Sequence, residues 1–537
     1  MRYSVKSLQT VFAQLPQPFS QVTPDIPITG ISIDSRSLQP GHLFLAMQGG
    51  NVDSHDFIGN AIDNGAAAIV GERQIGEISV PYIRLENPRR ALTWIAAAFH
   101  DWPARKLAVI GVTGTDGKTT TTNLIYRILL AAGLRAGMIS TVNAVIGDEV
   151  LDTGFHVTTP DAHDVQSYLA KMVDAGLTHV VLETTSHGWA QSRVDACEFD
   201  IGVVTNITHE HMDEHGSFEN YRAAKARLFS SLKITQPKPQ GNPRLAVLNR
   251  DDVKSFNFLN DFVKVNKINY GIGEYADVSG TNIEYYPSGI RFEAHGQNFD
   301  VQVESNLVGR YNISNCLAAL TATVYGLNIP PEVAAQGIAS LEGIPGRMEV
   351  IGLGQNFTAV VDFAHTPNAL KSSLEAAREI LDQGKGTEGR RRVIAVFGSA
   401  GLRDKAKRRM MAETSAELAD LTVLTAEDPR TESLAEILEE MAAGARSRGG
   451  REGETFWRVP DRGEAIRFAL SLAREGDIVL ACGKGHEQSM CFGRREHLWD
   501  DRTAIRAALS ELLGMDGPAM PYLPTQDTQE AEWLTWK

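Results

Sequence analysis

The sequence predicts an α/β protein of three domains, with a parallel sheet in the middle of the chain. A chain of 537 residues is too long for one hydrophobic core. Its composition, 43% hydrophobic and 22% charged, is that of an ordinary globular protein. Apolar runs at 107–112, 178–183, 200–206 and 244–248 alternate with segments of helical periodicity. This alternation is typical of parallel strands covered by helices.

Two proline-containing joints indicate where the domains meet. Trp102-Pro103 follows a helix predicted at 89–100, and Gly343-Ile344-Pro345-Gly346 precedes a further α/β pattern. We therefore expect domains at 1–104, 105–345 and 346–537.

Strand patterns outside the central runs are shorter. Short β-like runs at 28–33 and 43–47 are separated by glycine and proline breaks. Short antiparallel strands are predicted over 268–304, followed by a helix at 311–325. From Gly517 onward, three prolines and scattered polar residues predict a peripheral or mobile tail. Strands of the third domain are predicted near 358–362, 392–397, 421–425 and 477–481.

Charge and hydropathy exclude several classes of function. A net charge of −14, with no block of five or more basic residues, argues against nucleic-acid binding. No apolar run of 18 residues and no signal-type N-terminus is present, so we expect a cytoplasmic protein that does not insert into membranes. The four cysteines are scattered without zinc spacing, which disfavours a disulfide framework or a metal knuckle. We expect a monomer.

The segment Gly114-Thr115-Asp116-Gly117-Lys118-Thr119-Thr120 predicts a nucleoside-triphosphate site. It lies between an apolar run and a helix predicted at 118–132, so backbone N–H groups and the positive end of a helix dipole meet there. Lys118 adds a charge for the β- and γ-phosphates, and the Thr119 hydroxyl is a ligand for Mg²⁺. The alternative is a tight turn that needs glycine only for its positive φ. Val112 stands where the strict P-loop pattern has glycine, so this loop is a variant.

Polar residues follow the central strands where a parallel sheet binds its ligands, beyond the carboxyl ends. Glu183 closes the run 178–183, and its hard oxygen ligands suit Mg²⁺. A histidine-rich run at 207–215 follows the next strand, but it lacks the H-E-x-x-H pattern and a cysteine partner of a zinc site. Any single histidine there is also compatible with an ordinary loop. Lys225, taken alone, is typical of a surface lysine on a helix.

Taken together, these motifs resemble the Mur ligase family, the enzymes that build the peptide of bacterial peptidoglycan. The resemblance covers about residues 25–510, in order and at compatible spacing. Within the family the chain resembles the members that add a diamino acid to UDP-N-acetylmuramoyl-L-alanyl-D-glutamate. The matching motifs are Asp34-Ser35-Arg36, Pro40 to Phe44, Thr113 to Thr120, Glu183 to Gly188, Asn206 to His215, Tyr221 to Lys225, Asp362 to Pro367 and Gly483 to Glu487.

The resemblance implies an N-terminal UDP-binding domain, a central P-loop ATPase-like domain and a C-terminal Rossmann-like domain that carries the incoming amino acid. ATP would phosphorylate the D-glutamyl carboxylate, and the amine of the third amino acid would then displace phosphate from the acyl phosphate. Because two anions must approach each other, this reaction requires a clamp of cations. Lys118 and two Mg²⁺ ions would provide it.

The resemblance also implies the ligands of these ions. Thr119 and Glu183 match ligands of the first Mg²⁺, and His211 matches a ligand of the second. Lys225 matches a lysine that is carbamylated by CO₂ in the family, which turns a cation into an anion that binds Mg²⁺. Asp116 replaces a frequent asparagine, and we expect its carboxylate to point away from the phosphates or to cap the next helix. The nucleotide side would be completed by Asn312, Arg347, Asp362 and His365.

Two further groups match the substrates. For the UDP-sugar peptide they are Ser35, the loop Gly50-Asn51-Val52, Thr158, Thr159, Thr185, Gln191 and Arg193. Thr185 stands where serine is common, and we expect its hydroxyl to keep the hydrogen bond. For the incoming amino acid they are Arg403 for the α-carboxylate, Glu427-Asp428-Pro429-Arg430, and Gly483 and Glu487 for the distal amino group.

The segment Glu427-Asp428-Pro429-Arg430 departs from the D-N-P-R segment that accompanies meso-diaminopimelate in the family. Arg430 matches the grip on the distal carboxylate, but Asp428 adds an anion that would repel a carboxylate and attract an ammonium. The residues Gly398-Ser399-Ala400-Gly401 also differ from the usual glycine-rich pattern. We expect meso-diaminopimelate, with L-lysine or L-ornithine as the alternatives.

Three rival functions remain. The first is another ligase of the same superfamily, such as folylpolyglutamate synthase or the ligase that adds D-Ala-D-Ala, and the segments Asp34-Ser35-Arg36 and Gly483 to Glu487 argue against both. A non-catalytic scaffold of the same fold is disfavoured by the retained site residues, Lys118, Glu183, His211 and Lys225. A P-loop ATPase that drives conformational change is disfavoured by Val112 and by the missing Walker-B-like run.

Overall fold

The computed structural model describes residues 5–49, 52–151, 159–208, 216–273, 275–286, 289–383 and 391–527. It contains a large sheet in each of three successive stretches of the chain. Four of the predicted site residues, Gly50, Asn51, Thr158 and His211, lie outside the described residues.

The first stretch contains β1 (Lys6–Ser7), α1 (Leu8–Ala13), β2 (Pro27–Ile28), β3 (Gly30–Ser32), β4 (His42–Leu45), α2 (Ile58–Asp63), β5 (Ala68–Gly71), β6 (Tyr82–Arg84) and α3 (Pro88–Phe99). Strands β3, β4, β5 and β6 form a parallel sheet in that order. The predicted run 28–33 is split between β2 and β3, and helices α1 and α2 were not predicted. Helix α1 forms because the Ser7 side chain accepts a hydrogen bond from the Thr10 N–H and Leu8, Val11 and Phe12 bury one face.

The second stretch contains β7 (Ala108–Thr113), α4 (Lys118–Ala131), β8 (Ala136–Ile139), β9 (Ala144–Ile146), β10 (Glu149–Leu151), α5 (Ala162–Asp174), β11 (His179–Glu183), α6 (Ser186–Ala190), β12 (Ile201–Val204), α7 (Phe218–Ser231), β13 (Leu245–Asn249), α8 (Val253–Phe262), β14 (Asn266–Ile272), β15 (Val278–Tyr286), β16 (Gly289–Gly296), β17 (Phe299–Ser305), α9 (Tyr311–Leu327) and α10 (Pro331–Ala339). Its strands form one sheet in the order β10-β9-β8-β11-β7-β12-β13-β14-β15-β16-β17.

Pairing in this sheet changes from parallel at the centre to antiparallel at both ends. Strands β8, β11, β7, β12, β13, β14 and β15 are parallel. The prediction of antiparallel strands over 268–304 is therefore wrong for β14, which pairs in parallel on both sides. Helix α8 carries the chain from β13 back to the start of the sheet, and such a crossover produces a parallel pair.

The central sheet is buried on both faces, as its apolar strands predicted. Successive residues of β7 point to opposite sides, so Val109 packs in one cluster with Leu169 and Leu228, while Ile110 packs in another with Leu124. Helices α5 and α7 cover the first face, and α4, α9 and α10 cover the second.

The third stretch contains β18 (Glu349–Ile351), β19 (Thr358–Asp362), α11 (Pro367–Gln383), β20 (Val393–Phe397), α12 (Lys405–Leu418), β21 (Leu421–Leu424), α13 (Leu434–Ser447), β22 (Phe456–Arg458), α14 (Arg462–Leu472), β23 (Ile478–Cys482), β24 (Ser489–Phe492), β25 (Arg495–Leu498) and α15 (Asp501–Leu513). Its sheet has the order β18-β19-β23-β20-β21-β22 and is parallel except for β18. The four predicted strands coincide with β19, β20, β21 and β23, whereas the three-residue strands β18 and β22 were missed.

Residues 514–519, which follow α15, are exposed, but the segment around Leu523 packs against helices of the third stretch. Leu523 is completely buried among the residues of α14 and α15, and the Thr525 hydroxyl donates to Asp461 at 2.6 Å. The prediction of a mobile tail is therefore wrong for the segment around Leu523, because this residue contributes to a hydrophobic core.

Among the described residues, no helix has the length and apolar character that a membrane span needs.

Candidate active site

The phosphate loop joins β7 to α4 and has a backbone that requires glycine at two positions. Gly114 has φ +152° and Gly117 has φ +80°. A Cβ atom on Gly114 would lie 1.8 Å from the Thr205 hydroxyl, and one on Gly117 would lie 2.3 Å from Asn315 Oδ1. Because no side chain fits at either position, the loop lies directly against Thr205 and Asn315. The first turn of α4 therefore faces a cleft with its N–H groups and the positive end of its dipole.

Residues at the exit of β12 hold this loop in place. The Thr115 N–H donates to the Asn206 carbonyl at 2.7 Å, and the Asp116 N–H donates to Asn206 Oδ1 at 2.9 Å. The Thr115 hydroxyl lies 2.9 Å from the Tyr221 hydroxyl. The N–H groups of Thr115 and Asp116 are thus held by Asn206, and the Thr115 hydroxyl is held by Tyr221 of α7. These contacts order the loop without help from a nucleotide.

Thr119 and Glu183 form a buried oxygen pair at the start of α4. The Thr119 hydroxyl lies 3.1 and 3.0 Å from the two carboxylate oxygens of Glu183, and the two residues are 3% and 1% exposed. The Thr141 N–H also donates to Glu183 at 3.0 Å. A hydroxyl and a carboxylate are the ligand types that Mg²⁺ prefers, so these residues fit the predicted ion. Within the described ranges, no cluster of three or more histidine, cysteine, aspartate or glutamate side chains has metal-binding geometry.

Lys225 lies beneath the phosphate loop rather than on the surface. It is 2% exposed, its Nζ donates to the Gly114 carbonyl, and it lies 4.5 Å from the centre of the Tyr221 ring. The interpretation as a surface lysine is therefore wrong. A long cationic side chain is rarely buried to this extent without a specific role or partner.

Thr159, Thr185, Gln191 and Arg193 meet in one hydrogen-bonded network next to Glu183. The Thr159 hydroxyl accepts from the Thr185 N–H at 3.1 Å and donates to the Glu183 carbonyl at 3.3 Å. Arg193 donates to the Thr159 carbonyl at 2.6 Å and to Gln191 Oε1 at 3.0 and 2.7 Å. The Thr185 hydroxyl accepts from the Gly188 N–H at 2.9 Å and so begins α6.

Arg347 connects the second and third stretches. Its Nη2 donates to the Thr119 hydroxyl at 3.3 Å, and its guanidinium stacks 4.4 Å from the centre of the Phe363 ring. His365 Nδ1 lies 3.0 Å from the Phe363 carbonyl. Arg347 therefore touches the predicted metal site and the third sheet at the same time.

Asp362 and Asn312 make hydrogen bonds on the two sides of the connection that Arg347 forms between the second and third stretches. Asp362 accepts from the Met348 N–H at 2.8 Å and from the Ser373 hydroxyl at 2.9 Å, and burial raises the pKa of its carboxyl. Asn312 donates to the Val308 carbonyl at 2.7 Å and accepts from Asn315 at 2.9 Å. Asn312 thereby orients Asn315, which lies against Gly117 of the phosphate loop.

The segment Glu427 to Arg430 has a strained backbone, with φ +41° at Asp428 and +53° at Arg430. Asp428 Oδ1 accepts from Lys484 Nζ at 3.1 Å and from the Cys491 N–H at 2.9 Å. Lys484 offsets part of the charge that Asp428 adds, and the effect of this anion on the choice of amino acid stays a prediction. Lys484 is completely buried and also pairs with Glu487. We assigned it no role, although its place inside the motif Gly483 to Glu487 was a signal.

Glu427 differs from Asp428 in its hydrogen bonding. Its Oε2 is buried and has no hydrogen-bond partner among the described residues, and burial raises the pKa of its carboxyl. A Cβ atom on Gly483 would lie 2.4 Å from this oxygen. The Pro429 carbonyl accepts from the Glu432 N–H at 3.1 Å, which supports the turn. Arg403 is exposed and lines the same cleft.

Most of the predicted site residues that the structure describes line one of two cavities. One, of about 520 Å³, lies between the first stretch and α6 and is lined by Gln48, Asn87, Arg89 and Gln191 among others. Ser35 is buried and lines neither cavity, and its carbonyl accepts from Asn64 at 2.8 Å. The main cleft, of about 730 Å³, is lined by Thr115 to Thr120, Glu183, Thr185, Asn312, Arg347, Asp362, His365, Arg403, Glu427, Asp428, Arg430, Gly483 and Glu487.

Family models match most of the chain. The Mur ligase family catalytic domain matches residues 27–100, the Mur ligase middle domain 112–323, and the Mur ligase glutamate ligase domain 346–485. Over 504 residues the chain is 38% identical to the UDP-N-acetylmuramoyl-L-alanyl-D-glutamate--2,6-diaminopimelate ligase of Geobacillus thermodenitrificans, an alignment that covers 94% of this chain and 99% of that protein. The chain belongs to the Mur ligase family. The predicted family, fold class and enzyme class, a ligase, are confirmed.

Other relatives agree with this result. The chain is 40% identical over 512 residues to a UDP-N-acetylmuramyl-tripeptide synthetase of Roseiflexus sp., covering 94% of this chain and 99% of that protein. A solved structure of a UDP-N-acetylmuramoyl-L-alanyl-D-glutamate--2,6-diaminopimelate ligase is 29% identical, with a TM-score of 0.62 over 95% of this chain and 100% of that one. The fold is also that of MurF from Acinetobacter baumannii, at 21% identity and a TM-score of 0.63 over 90% of this chain and 96% of that one.

Asp116 of this Mur ligase points out of the phosphate loop. Helix α4 is preceded by Gly117 and has no side-chain cap, so the expectation that Asp116 caps it is wrong. The carboxylate instead accepts a hydrogen bond at 2.9 Å from Asn368, which lies in the first turn of α11.

Proposed function

We propose that this Mur ligase joins meso-2,6-diaminopimelate to UDP-MurNAc-L-Ala-D-Glu in an ATP-dependent reaction that forms an amide bond. The observation that carries the proposal is the single cleft, because the phosphate loop and the segment Glu427 to Arg430 line it together. Relatives that are 37–38% identical over nearly their whole length bear the name of this activity, which supports the choice.

We propose that the three sheets belong to the three domains predicted at 1–104, 105–345 and 346–537. The first would bind the UDP end, with Ser35 and Asn51, and the cavity that contains Gln191 lies between it and α6. Thr159, Thr185 and Arg193 would hold the peptide, because their network adjoins Glu183. Thr158, which lies outside the described residues, would act with them. This assignment sets the D-glutamyl carboxylate beside the phosphate loop.

In the first step, an oxygen of the D-glutamyl carboxylate attacks the γ-phosphorus of ATP, and ADP leaves. Two anions approach each other, so the residues of the chain must supply positive charge. Lys118 lies at the loop, with its Nζ donating to the Thr115 carbonyl at 2.7 Å, and the N–H groups that begin α4 bind phosphate oxygens. Thr119, Glu183, His211 and carbamylated Lys225 would hold two Mg²⁺ ions, which neutralise phosphate charge when bound.

In the second step, the amine of the incoming amino acid attacks the carbonyl carbon of the acyl phosphate, and phosphate leaves as the C–N bond forms. The ammonium first gives one proton to solvent to present a lone pair, and the nitrogen gives up a second proton to solvent as phosphate leaves. Arg403 and Arg430 line the cleft and would bind the two carboxylates of diaminopimelate. Glu427 and Glu487 would face the second ammonium. Lys484 pairs with both Asp428 and Glu487, so the choice of diaminopimelate over L-lysine or L-ornithine rests on the named activity of the relatives.

The test is a phosphate-release assay with ATP, Mg²⁺, UDP-MurNAc-L-Ala-D-Glu and each of meso-diaminopimelate, L-lysine and L-ornithine, followed by mass spectrometry of the product. We expect release with diaminopimelate and a product heavier by one diaminopimelate residue. Equal rates with all three amino acids would contradict selection by Glu427 to Arg430. No release with any of them would contradict the proposed function.

A further inference from the structure

Asp116 and Asn368 form a direct hydrogen bond between the phosphate loop and the third sheet's helix α11. Asn368 Nδ2 donates to Asp116 Oδ2 at 2.9 Å, and the two residues are 252 positions apart in the chain. Both line the main cleft. The bond therefore joins the phosphate loop to the third stretch of the chain, which also carries Arg403 and Arg430.

Both ends of this contact are held by the backbone around them. The Asp116 N–H donates to Asn206 Oδ1 at 2.9 Å, and its carbonyl accepts from the Thr205 hydroxyl at 2.6 Å. On the other side, the Thr366 hydroxyl accepts from the Ala369 N–H at 3.1 Å and so caps α11. A contact between two ordered backbones transmits position, whereas a contact between two mobile side chains does not.

Charge also favours this arrangement. The Asp116 carboxylate meets the N-terminus of α11, a helix of 17 residues, where the dipole stabilises an anion. In the phosphate loop itself a carboxylate would repel the triphosphate. The observed orientation removes that conflict and uses the charge for a contact with the third sheet.

We propose that Asp116 and Asn368 are positioning residues that fix the third domain against the phosphate loop, so that the incoming amine reaches the acyl phosphate. This inference rests on the proposed function. The contact requires a hydrogen-bond acceptor at one of the two positions and a donor at the other, so the acid and the amide can exchange places. Arg347 is a second connection between the same two parts, but it touches Thr119 and is thus part of the nucleotide site itself.

The test exchanges the donor and the acceptor. Asn368→Asp opposes two carboxylates, and we expect it to lower kcat/KM for diaminopimelate at least tenfold while KM for ATP changes less than threefold. Asp116→Asn together with Asn368→Asp restores one acid and one amide, and we expect kcat/KM to return to within threefold of the wild type. Asn257→Asp is the matched control, since this exposed residue of α8 adds the same charge away from the cleft.

Two results would overturn the inference: Asn368→Asp behaving like Asn257→Asp, or the double variant being no more active than Asn368→Asp alone. The wild type is assayed first, so that absence of any product counts against the proposed function instead. Small-angle X-ray scattering of the ADP-bound proteins then decides the inference independently of activity. We expect a larger radius of gyration for Asn368→Asp than for the wild type and the double variant, and equal radii would refute the contact's role.

Discussion

Replacing Lys225 by alanine removes a buried amine from beneath the phosphate loop and leaves a cavity there. Lys225 is 2% exposed, and its Nζ donates to the Gly114 carbonyl. The substitution removes three buried methylene groups, which contribute about 0.8 kcal/mol each, and one hydrogen bond of about 1 kcal/mol. We therefore expect the free energy of unfolding to fall by about 3 kcal/mol, which denaturant unfolding measures.

The effect on catalysis should be larger than the effect on stability. If Lys225 acts as a carbamate, alanine removes an anionic ligand of Mg²⁺, and losing several kcal/mol of charge stabilisation corresponds to roughly a thousandfold lower kcat. A short carboxylate such as acetate fits the space that the side chain vacates. We expect added acetate to raise the phosphate-release rate of Lys225→Ala at least tenfold.

Lys225→Met is the matched control, because methionine fills the same space without an ionisable group. Acetate should leave its rate unchanged. The carbamate is refuted if Lys225→Ala retains the wild-type rate without additive. It is also refuted if acetate fails to accelerate a Lys225→Ala protein whose circular dichroism spectrum is that of the wild type.

Three further predictions concern the same cleft. Lys118→Ala should reduce ATP-dependent phosphate release at least a hundredfold, because it removes the cation at the start of α4, and nucleotide binding measured by calorimetry should weaken in parallel. Gly114→Ala should lower both the melting temperature and ATP affinity, since its Cβ would lie 1.8 Å from the Thr205 hydroxyl, whereas Gly76→Ala meets open space and should change neither. Burial lowers the pKa of His486 to about 3. As pH falls below about 6.5 the unfolded chain binds a proton that the folded protein does not, so stability should fall by up to about 1.4 kcal/mol per pH unit until about pH 3. His486→Gln should flatten this dependence in urea unfolding at pH 7 and pH 5, and an unchanged slope would contradict the burial argument.

Local patterns were sufficient to predict the central sheet and the phosphate loop. The strand β7, the glycine turn and helix α4 are adjacent in the chain, and each follows from its own residues. Short strands such as β22 were missed, because three residues do not establish a periodicity. The parallel pairing of β14 was missed for a different reason, since its direction depends on the crossover through α8 and not on its own residues.

Contacts between distant residues could not be predicted. The Asp428–Lys484 pair spans 56 positions, and the chain alone does not indicate that the two charges meet. Lys225 differs, because Tyr221 lies four residues before it and Leu228 three residues after it. This helical spacing places Lys225 on the apolar stripe of α7 and was a signal of its burial. The roles of Asn51, Thr158 and His211 stay predictions.

The burial of Leu523 has a practical consequence for work with shortened chains. Ending the polypeptide at residue 516 would uncover the apolar surface between α14 and α15 and deprive Asp461, which begins α14, of its contact with Thr525. Such a truncation exposes a hydrophobic patch on the third stretch, so we expect the shortened protein to aggregate during purification.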